Sequence, residues 1–448
     1  MLSPHDAQER CHALIERAVR AGGEAGDAIY IANSSESVSV RLGLLEDVER
    51  SESEHIGLRV FVGQGSASIG STDLTDTALD ELASRAVAMA RAAPADVYAG
   101  LAPQDLLLRG AAPDLDMVDP HEPAPAELRA SALEAEDAAR AVAGVTNSEG
   151  ASASASRSVM GLATSHGFSG GYESTGHSLS ASVVAGEGSG MQRDYAWRSA
   201  RYRTDLLAPA EIGRRAGTRA VARLAPAKLK SGTMPVVFDP RVGNSLIGHL
   251  IAAISGSAVA RRSSFLLDRL GDQLFDSAIS IIEDPLRRRG LRSRPFDGEG
   301  LPTAARALVE HGRLTGWLMD SAAARQLGAA PTGHASRGAS GAPGVGATNV
   351  VLEPGTLSRG ELIADIADGV FVTELIGHGV NGVTGDYSRG ASGFRIVNGE
   401  IAGPVAEFTV AGNLVDMFAA LTAASDLEIH RGIDVPTLRI DGMSVAGD

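Results

Sequence analysis

Hydrolytic zinc chemistry asks for two histidines about one helical turn apart with a glutamate beside one of them, so that imidazoles hold the ion and the carboxylate activates its water. The chain has eleven histidines, and they are scattered. Its one His-Glu dipeptide, His121-Glu122, runs into Pro123 and Pro125, so it cannot lie within a helix. The pairs His166/His177 and His334/His378 lack ligand spacing. Gly167-Phe168-Ser169-Gly170-Gly171 fits the nucleophile elbow G-x-S-x-G, which works on a strand-to-helix turn. Alternating, strand-like sequence follows it, so Ser169 reads as a turn residue. Gly377-His378-Gly379-Val380-Asn381-Gly382 fits G-x-G-x-x-G after an apolar run. A dinucleotide site also needs a helix opening at the third glycine, and Gly385, Gly390 and Gly393 exclude one.

Two other clusters carry polar chemistry. Arg287, Arg288, Arg289, Arg292 and Arg294 form a cationic run that would suit carboxylates of an acidic peptide or a partner surface, or would simply be solvated. Asp386, Ser388 and Arg389 lie in a glycine-rich stretch, residues 371–413, that carries glycine at 377, 379, 382, 385, 390 and 393. Such density marks hairpin turns or close backbone approach to a ligand. The structural role, in which the polar side chains satisfy turn backbone, is the preferred reading. The residues nominated for peptide or partner contact are His378, Asn381, Asp386, Ser388, Arg389, Arg287, Arg288 and Arg289.

These residues need a scaffold, and its elements are legible. Residues 4–21 read as a helix capped by Ser3, with Pro4 in its first turn and Cys11, Leu14, Ile15, Ala18 and Val19 on one face. Strand signals follow at 28–32, at Val38, Val40 and Leu42, and at 58–62, and then a helix at 76–92. Residues 94–126 hold six prolines and read as a connector with one short strand at 106–108. A helix at 125–142, alternating antiparallel strands within 144–203 and a helix at 209–224 complete an N-terminal region. Beyond it, 234–238 reads as a strand, 242–254 and 258–270 as helices, and 279–447 as short strands and turns with a helix at 413–424. No internal repeat is detectable. The expected fold class is α+β. An N-terminal α/β sandwich-like region over 1–225 (unit 1–93, connector 94–126, helix and strands 127–225) precedes a β-rich C-terminal domain over 231–448.

Composition narrows the function. The 448 residues are 44% hydrophobic and 21% charged, which describes a globular chain able to bury a core. The formal net charge is −15, a poor basis for gripping a phosphate backbone, so no nucleic-acid partner is expected. A single cysteine, Cys11, excludes an intrachain disulfide and any multi-cysteine zinc site, and its place on the apolar helix face suits core packing. Neither a signal peptide nor a spanning segment is expected, and the cytoplasm is the default location.

Several longer runs, in order, resemble the TldD/TldE (PmbA) family. They are residues 372–381 (VTELIGHGVN), 384–394 (TGDYSRGASGF), 398–401 (NGEI), 404–405 (PV) and 411–414 (AGNL). Upstream, residues 248–250, 253–256, 264–268, 295–300 and 321–333 resemble the TldE/PmbA-like branch, which also carries the label "modulator of DNA gyrase". The resemblance implies a cytoplasmic metallopeptidase complex acting on unfolded or extended peptides. Its TldD-type subunit carries zinc on an H-E-x-x-x-H helix with a further cysteine. Its TldE-type subunit lacks that site.

The corresponding helix here is taken as residues 249–254. His249 stands at the first histidine, Leu250 at the glutamate and Ile254 at the second histidine. The resemblance therefore implies a non-catalytic chain with no cofactor of its own and zinc in a TldD-type partner. An extended peptide would dock by strand addition to the C-terminal domain, and a homodimer is an option for the chain alone. The rival readings are a self-sufficient metallopeptidase with a non-standard metal site, and a protein-binding regulator of gyrase.

Overall fold

A computed structural model describes residues 1–447. Helix α1 (Pro4–Arg20) starts where the Ser3 hydroxyl accepts from the Asp6 amide and Pro4 opens the first turn. It leads into β1 (Ala25–Arg41), β2 (Leu44–Val62), β3 (Gly65–Ser71) and helix α2 (Asp76–Ala92). After the proline-rich connector come α3 (Pro125–Arg140), β4 (Val145–Thr164), β5 (Ser169–Ala185), β6 (Gln192–Ala200) and α4 (Pro209–Ala222). The six strands form one antiparallel sheet in the order β3-β2-β1-β4-β5-β6.

Helix, three-stranded meander, helix thus occurs twice, and the two meanders meet back to back at β1 and β4, with Tyr30 opposite Gly161. The repeat lies in topology, where no sequence repeat was expected. All four helices cover one sheet face. Ala28, Tyr30 and Ala32 of β1 meet α1 and α2, while Val38 and Val40, on the same face, meet α3 and α4. Ile29 points the other way and packs with Leu162, Phe168 and Phe296, which brings the C-terminal half onto the opposite face.

The C-terminal half begins with β7 (Gly232–Phe238), α5 (Pro240–Ala253) and α6 (Gly256–Ala260). Short elements follow: β8 (Ile281–Glu283), β9 (Arg306–Glu310), β10 (Arg313–Leu314), α7 (Ser321–Leu327), β11 (Ala335–Ser336), β12 (Gly344–Val345), β13 (Val350–Leu352) and α8 (Arg359–Ile363). Then come β14 (Asp368–Ile376), β15 (Asp386–Val397), β16 (Glu400–Asn413), α9 (Leu414–Ala419), β17 (Leu421–Ala423), β18 (Ile433–Asp434) and β19 (Leu438–Ala446). The main sheet runs β16-β15-β14-β7-β19-β17, and β16 also pairs with β19, which closes it into a barrel. Phe238, Leu250, Ile254, Phe408 and Phe418 fill its core. A smaller sheet, β10-β9-β8-β13-β18, lies beside it. The architecture is α+β with a β-rich C-terminal part.

Three expected elements fold otherwise. Helix 258–270 is only α6, because Arg262 takes a positive φ of 53° and the Ser264 hydroxyl bonds the Ala253 carbonyl and the Leu266 amide instead of letting the helix continue. Helix 413–424 stops at Ala419, because Leu421 pairs with Ile440 in the barrel ladder. The strand expected at 106–108 is a 3-10 turn, Gln104–Leu106, followed by one backbone bond from Leu108 to Gly300.

The two halves are joined by buried charge. Arg337, its side chain wholly buried, ion-pairs with Asp27 of β1. Arg59 of β2 bonds the same carboxylate and lies 3.5 Å from Glu299. The approach is close enough that a Cβ on Gly57 would fall 1.8 Å from the Ala339 carbonyl oxygen.

Candidate functional site

Helix α5 and the glycine-rich hairpin β14–β15 face each other across the C-terminal half. The helix forms where Asp239, at its N-cap, accepts from the Arg241 amide at 2.9 Å, with Pro240 in the first turn. Gly243, Leu246, Ile247, Leu250 and Ala253 are buried. Leu250 and Ile254, one turn apart, point into the barrel core and are fully buried. His249 lies on another face, half-buried, with its ring edge-on to Tyr387 at 6.1 Å between centroids. Its Nε2 and the Tyr387 hydroxyl are buried without hydrogen-bond partners among the described residues. Burial, and then the Arg389 cation, push the His249 pKa below its ordinary value, so the ring is neutral at pH 7. Burial raises the Tyr387 phenol to about 12. Among the described residues, no three His, Cys, Asp or Glu side chains are grouped so as to hold a metal ion.

The hairpin itself divides the nominated residues. Tyr387 and Arg389 alternate toward α5, while His378, Asn381, Asp386 and Ser388 are exposed. Asn381 makes an Asx turn, its Oδ1 accepting from the Val383 amide at 2.9 Å. Asp386 accepts from the Thr384 hydroxyl at 2.6 Å and from Asn413 at 3.3 Å. These two polar side chains satisfy the turn. The Ser388 amide bonds the Gly379 carbonyl at 2.7 Å, and a Cβ on Gly379 would fall 2.0 Å from the Ser388 carbonyl oxygen. The glycine at 379 is therefore a close-approach residue.

Arg389 lines a cavity of about 290 Å³ with Arg241, Asn244, Ser245, Glu374 and Tyr195. The last of these comes from the first sheet, so the cavity lies between the halves. There Arg241 holds Asp194 at 2.7 Å, and Arg223 reaches both Asp194 and Glu374.

The arginine run lies apart from this cavity. Arg289 stacks over the Tyr202 ring at 3.6 Å and bonds Asp116 at 2.8 Å. Arg288 reaches Asp116 at 3.3 Å and remains 66% exposed, and Arg287 is 3.9 Å from Asp434. Arg294 holds the carbonyls of Ala335 and Gly346. Arg288 and Arg289 thus fasten the C-terminal half onto the N-terminal half, Arg287 and Arg294 bind within the C-terminal half, and Arg292 is exposed.

The other motif residues are accounted for locally. Ser169 opens β5 and bonds Gln8 at 3.0 Å, without a helix behind it. His334 sits 2.6 Å from Glu283 and 2.8 Å from Thr332. His121 is 3.2 Å from Glu127.

Three residues that line an adjoining cleft beside α5 escaped sequence reasoning: Tyr195, Arg219 and Arg431. They come from β6, α4 and the segment before β18, and no spacing in the chain announces that they converge on one cleft.

Relatives fit this arrangement throughout. Residues 26–90 match the PmbA/TldA metallopeptidase domain 1, 118–224 the central domain and 231–447 the C-terminal domain. The chain is 40% identical over 413 residues to the metalloprotease PmbA of Escherichia coli O157:H7, covering 92% of this chain and 90% of that one. It is 38% identical to a PmbA homolog of Haemophilus influenzae, covering 97% and 94%. A crystal structure from Bacteroides thetaiotaomicron, described as a proposed modulator of DNA gyrase, superposes over the whole of both chains with a TM-score of 0.91 at 26% identity. TldE from Thermococcus kodakarensis has the same fold, with a TM-score of 0.86 at 21% identity over 97% of this chain and 99% of that one. With all three successive domains matched and the PmbA relatives aligned nearly end to end, the chain belongs to the PmbA/TldD metallopeptidase family.

Proposed function

We propose that this chain is a PmbA/TldE-like subunit that works beside a TldD-type homologue in a metallopeptidase acting on unfolded or extended peptides, with the zinc held by the partner. The observation that supports this reading is the surroundings of residues 249–254. A hydrolytic zinc needs about three protein ligands and a base at its water. Leu250 and Ile254 are core residues, and the cation nearest His249 is Arg389, which repels a metal. The family's cysteine ligand has no counterpart here, because Cys11 is buried in the N-terminal core, where burial raises its thiol to about 12. A Haemophilus influenzae TldD homolog, 25% identical over about half of each chain, is the kind of homologue meant. The reading places the pair in the cytoplasm; among the described residues no helix is long and apolar enough to cross a membrane.

Co-expression with a TldD-type subunit tests it. The expected result is a stable complex on gel filtration and chelator-sensitive cleavage of an unfolded peptide by the pair. This chain alone should be inactive and carry almost no zinc. One zinc per chain, together with cleavage by this chain alone, would overturn the reading in favour of a self-sufficient peptidase.

A further inference from the structure

A second cleft, of about 390 Å³, lies between β6, α4 and the N-terminus of α5. Six arginines line it, in a chain whose net charge is −15. Three of them are answered by carboxylates. Arg241 holds Asp194 at 2.7 Å, Arg215 holds Glu211 at 2.9 Å, and Arg198 is 3.6 Å from Glu428. The other three, Arg219, Arg359 and Arg431, have no carboxylate within ion-pair distance among the described residues. Arg219 donates to the Tyr195 carbonyl at 3.2 Å, a neutral acceptor. Arg431 lies over the Trp197 ring at 4.8 Å and bonds His430 at 3.1 Å. Arg359 lies 5.9 Å from the Phe371 ring centroid. Of the two remaining lining carboxylates, Asp426 is taken up by Thr437, and Asp239 caps α5, lies 3.9 Å from Arg241 and exerts its charge on Arg219 and Arg431 from beyond ion-pair distance.

The cations act on the histidine beside them. Burial, then Arg198 and Arg431, push His430 down to about 4. Burial is also the largest cause that lowers Arg219, where Arg241 lowers it further and Asp239 and Asp194 oppose it. Guanidinium groups in this condition are stabilised by a bidentate carboxylate.

One wall of the cleft is the edge of a sheet. Tyr195, Trp197 and Arg198 belong to β6, the last strand of the first sheet, which pairs with β5 on one side and with no strand on the other among the described residues. At Tyr195 the amide already bonds the Asp194 carboxylate at 2.7 Å and the carbonyl accepts from Arg219, so an extended chain would use the backbone donors and acceptors of the flanking edge residues and displace Arg219 onto its own carboxylates. Strand addition was expected in the C-terminal domain, whose barrel is closed by the β16–β19 pairing and whose remaining strand ends, β10, β17 and β18, are only two or three residues long. The N-terminus of α5 is capped by its own Asp239, which disfavours a phosphate there. Tyr195 and Arg241 also line the 290 Å³ cavity beside Arg389, so the two spaces adjoin along α5.

We infer that this cleft binds an acidic stretch of an extended peptide, which adds as a strand to the free edge of β6 and sets its carboxylates on Arg219, Arg359 and Arg431. The inference rests on the peptide-handling reading above and gives the peptide a place and a charge.

The test uses the full chain alone, with Trp197 fluorescence as reporter. Three probes are titrated: a short Glu-rich peptide with blocked ends, its Gln counterpart, and that Gln peptide with a free C-terminal carboxylate. The Glu-rich peptide should bind at least about tenfold tighter than either control, as charge-assisted bonds to arginine predict, and should weaken with salt. Arg219→Gln with Arg431→Gln should abolish the preference. Arg219→Lys with Arg431→Lys should keep only part of it, which reads the site even if the Gln pair folds poorly. N-methylation of alternate amides in the Glu-rich peptide should weaken binding.

Equal affinity for Glu and Gln peptides would overturn the inference. So would binding that needs only the free C-terminus, or displacement by inorganic phosphate at equal concentration. Because no partner and no cleavage enter this measurement, its failure is separable from failure to form a complex with a TldD-type subunit.

Discussion

Asp297 is fully buried, and its carboxylate accepts from the amides of Glu299, Leu301 and Ala335. Burial, and then the charge of Glu299 two residues away, push it from 3.8 up to about 6. A carboxyl raised in the folded state is favoured as the acid, so its ionisation costs the fold stability as pH rises through about 6. The rise corresponds to about 3 kcal/mol. Comparing the chain with Asp297→Asn cancels the other titrating groups. Urea denaturation across a pH series should show the wild type gaining on the variant as pH falls from about 7 toward 4, and a pH-independent difference would refute the assignment. Leu250 illustrates the opposite residue-scale lesson: its position in the motif helix invites a catalytic comparison, but its side chain belongs to the barrel core.

At the scale of elements, α5 links the two cavities. Its first turn lines the arginine-rich cleft through Asp239, Pro240 and Arg241, its second borders the Arg389 cavity through Asn244 and Ser245, and its apolar stripe anchors in the barrel. Its start depends on one side chain, since Asp239 alone caps it. Asp239→Ala should therefore cost about 1 kcal/mol of stability, measured by chemical denaturation, while Asp239→Ser should recover most of it. If both variants matched the wild type, the cap would be dispensable and the helix held by packing alone.

At the scale of the molecule, a buried ionic cluster joins the halves. Burial alone would raise the Asp27 carboxyl, but Arg337 and then Arg59 outweigh it and hold it below the ordinary range. That contribution is present above the unfolded value and is lost as pH falls through the folded one. Removing a partner from such a cluster leaves buried charge uncompensated, typically at about 3–5 kcal/mol. Asp27→Ala, which strands Arg59 and Arg337, should lower stability by that order in calorimetry, and a change near zero would mean that apolar contacts around Phe296 hold the halves together. The cleft lined by β6, α4 and α5 also lies between the halves, where Arg241 holds Asp194 and Arg223 reaches Glu374.

The sequence by itself determined the local elements and the family resemblance. Helix α1 was legible from Ser3, Pro4 and the stripe through Cys11, and the glycine-rich hairpin from its turn residues, because capping, periodicity and turn chemistry act within a few residues. The apolar character of Leu250 and Ile254 was legible for the same reason. What only the tertiary structure decided lies at long range. The repeated helix–meander–helix needs the β1–β4 pairing, which joins residues more than a hundred positions apart. The closure of the barrel depends on β16 meeting β19. The gathering of Arg219, Arg359 and Arg431 around one strand edge leaves no mark in spacing, because the net charge of a chain does not say where its cations meet.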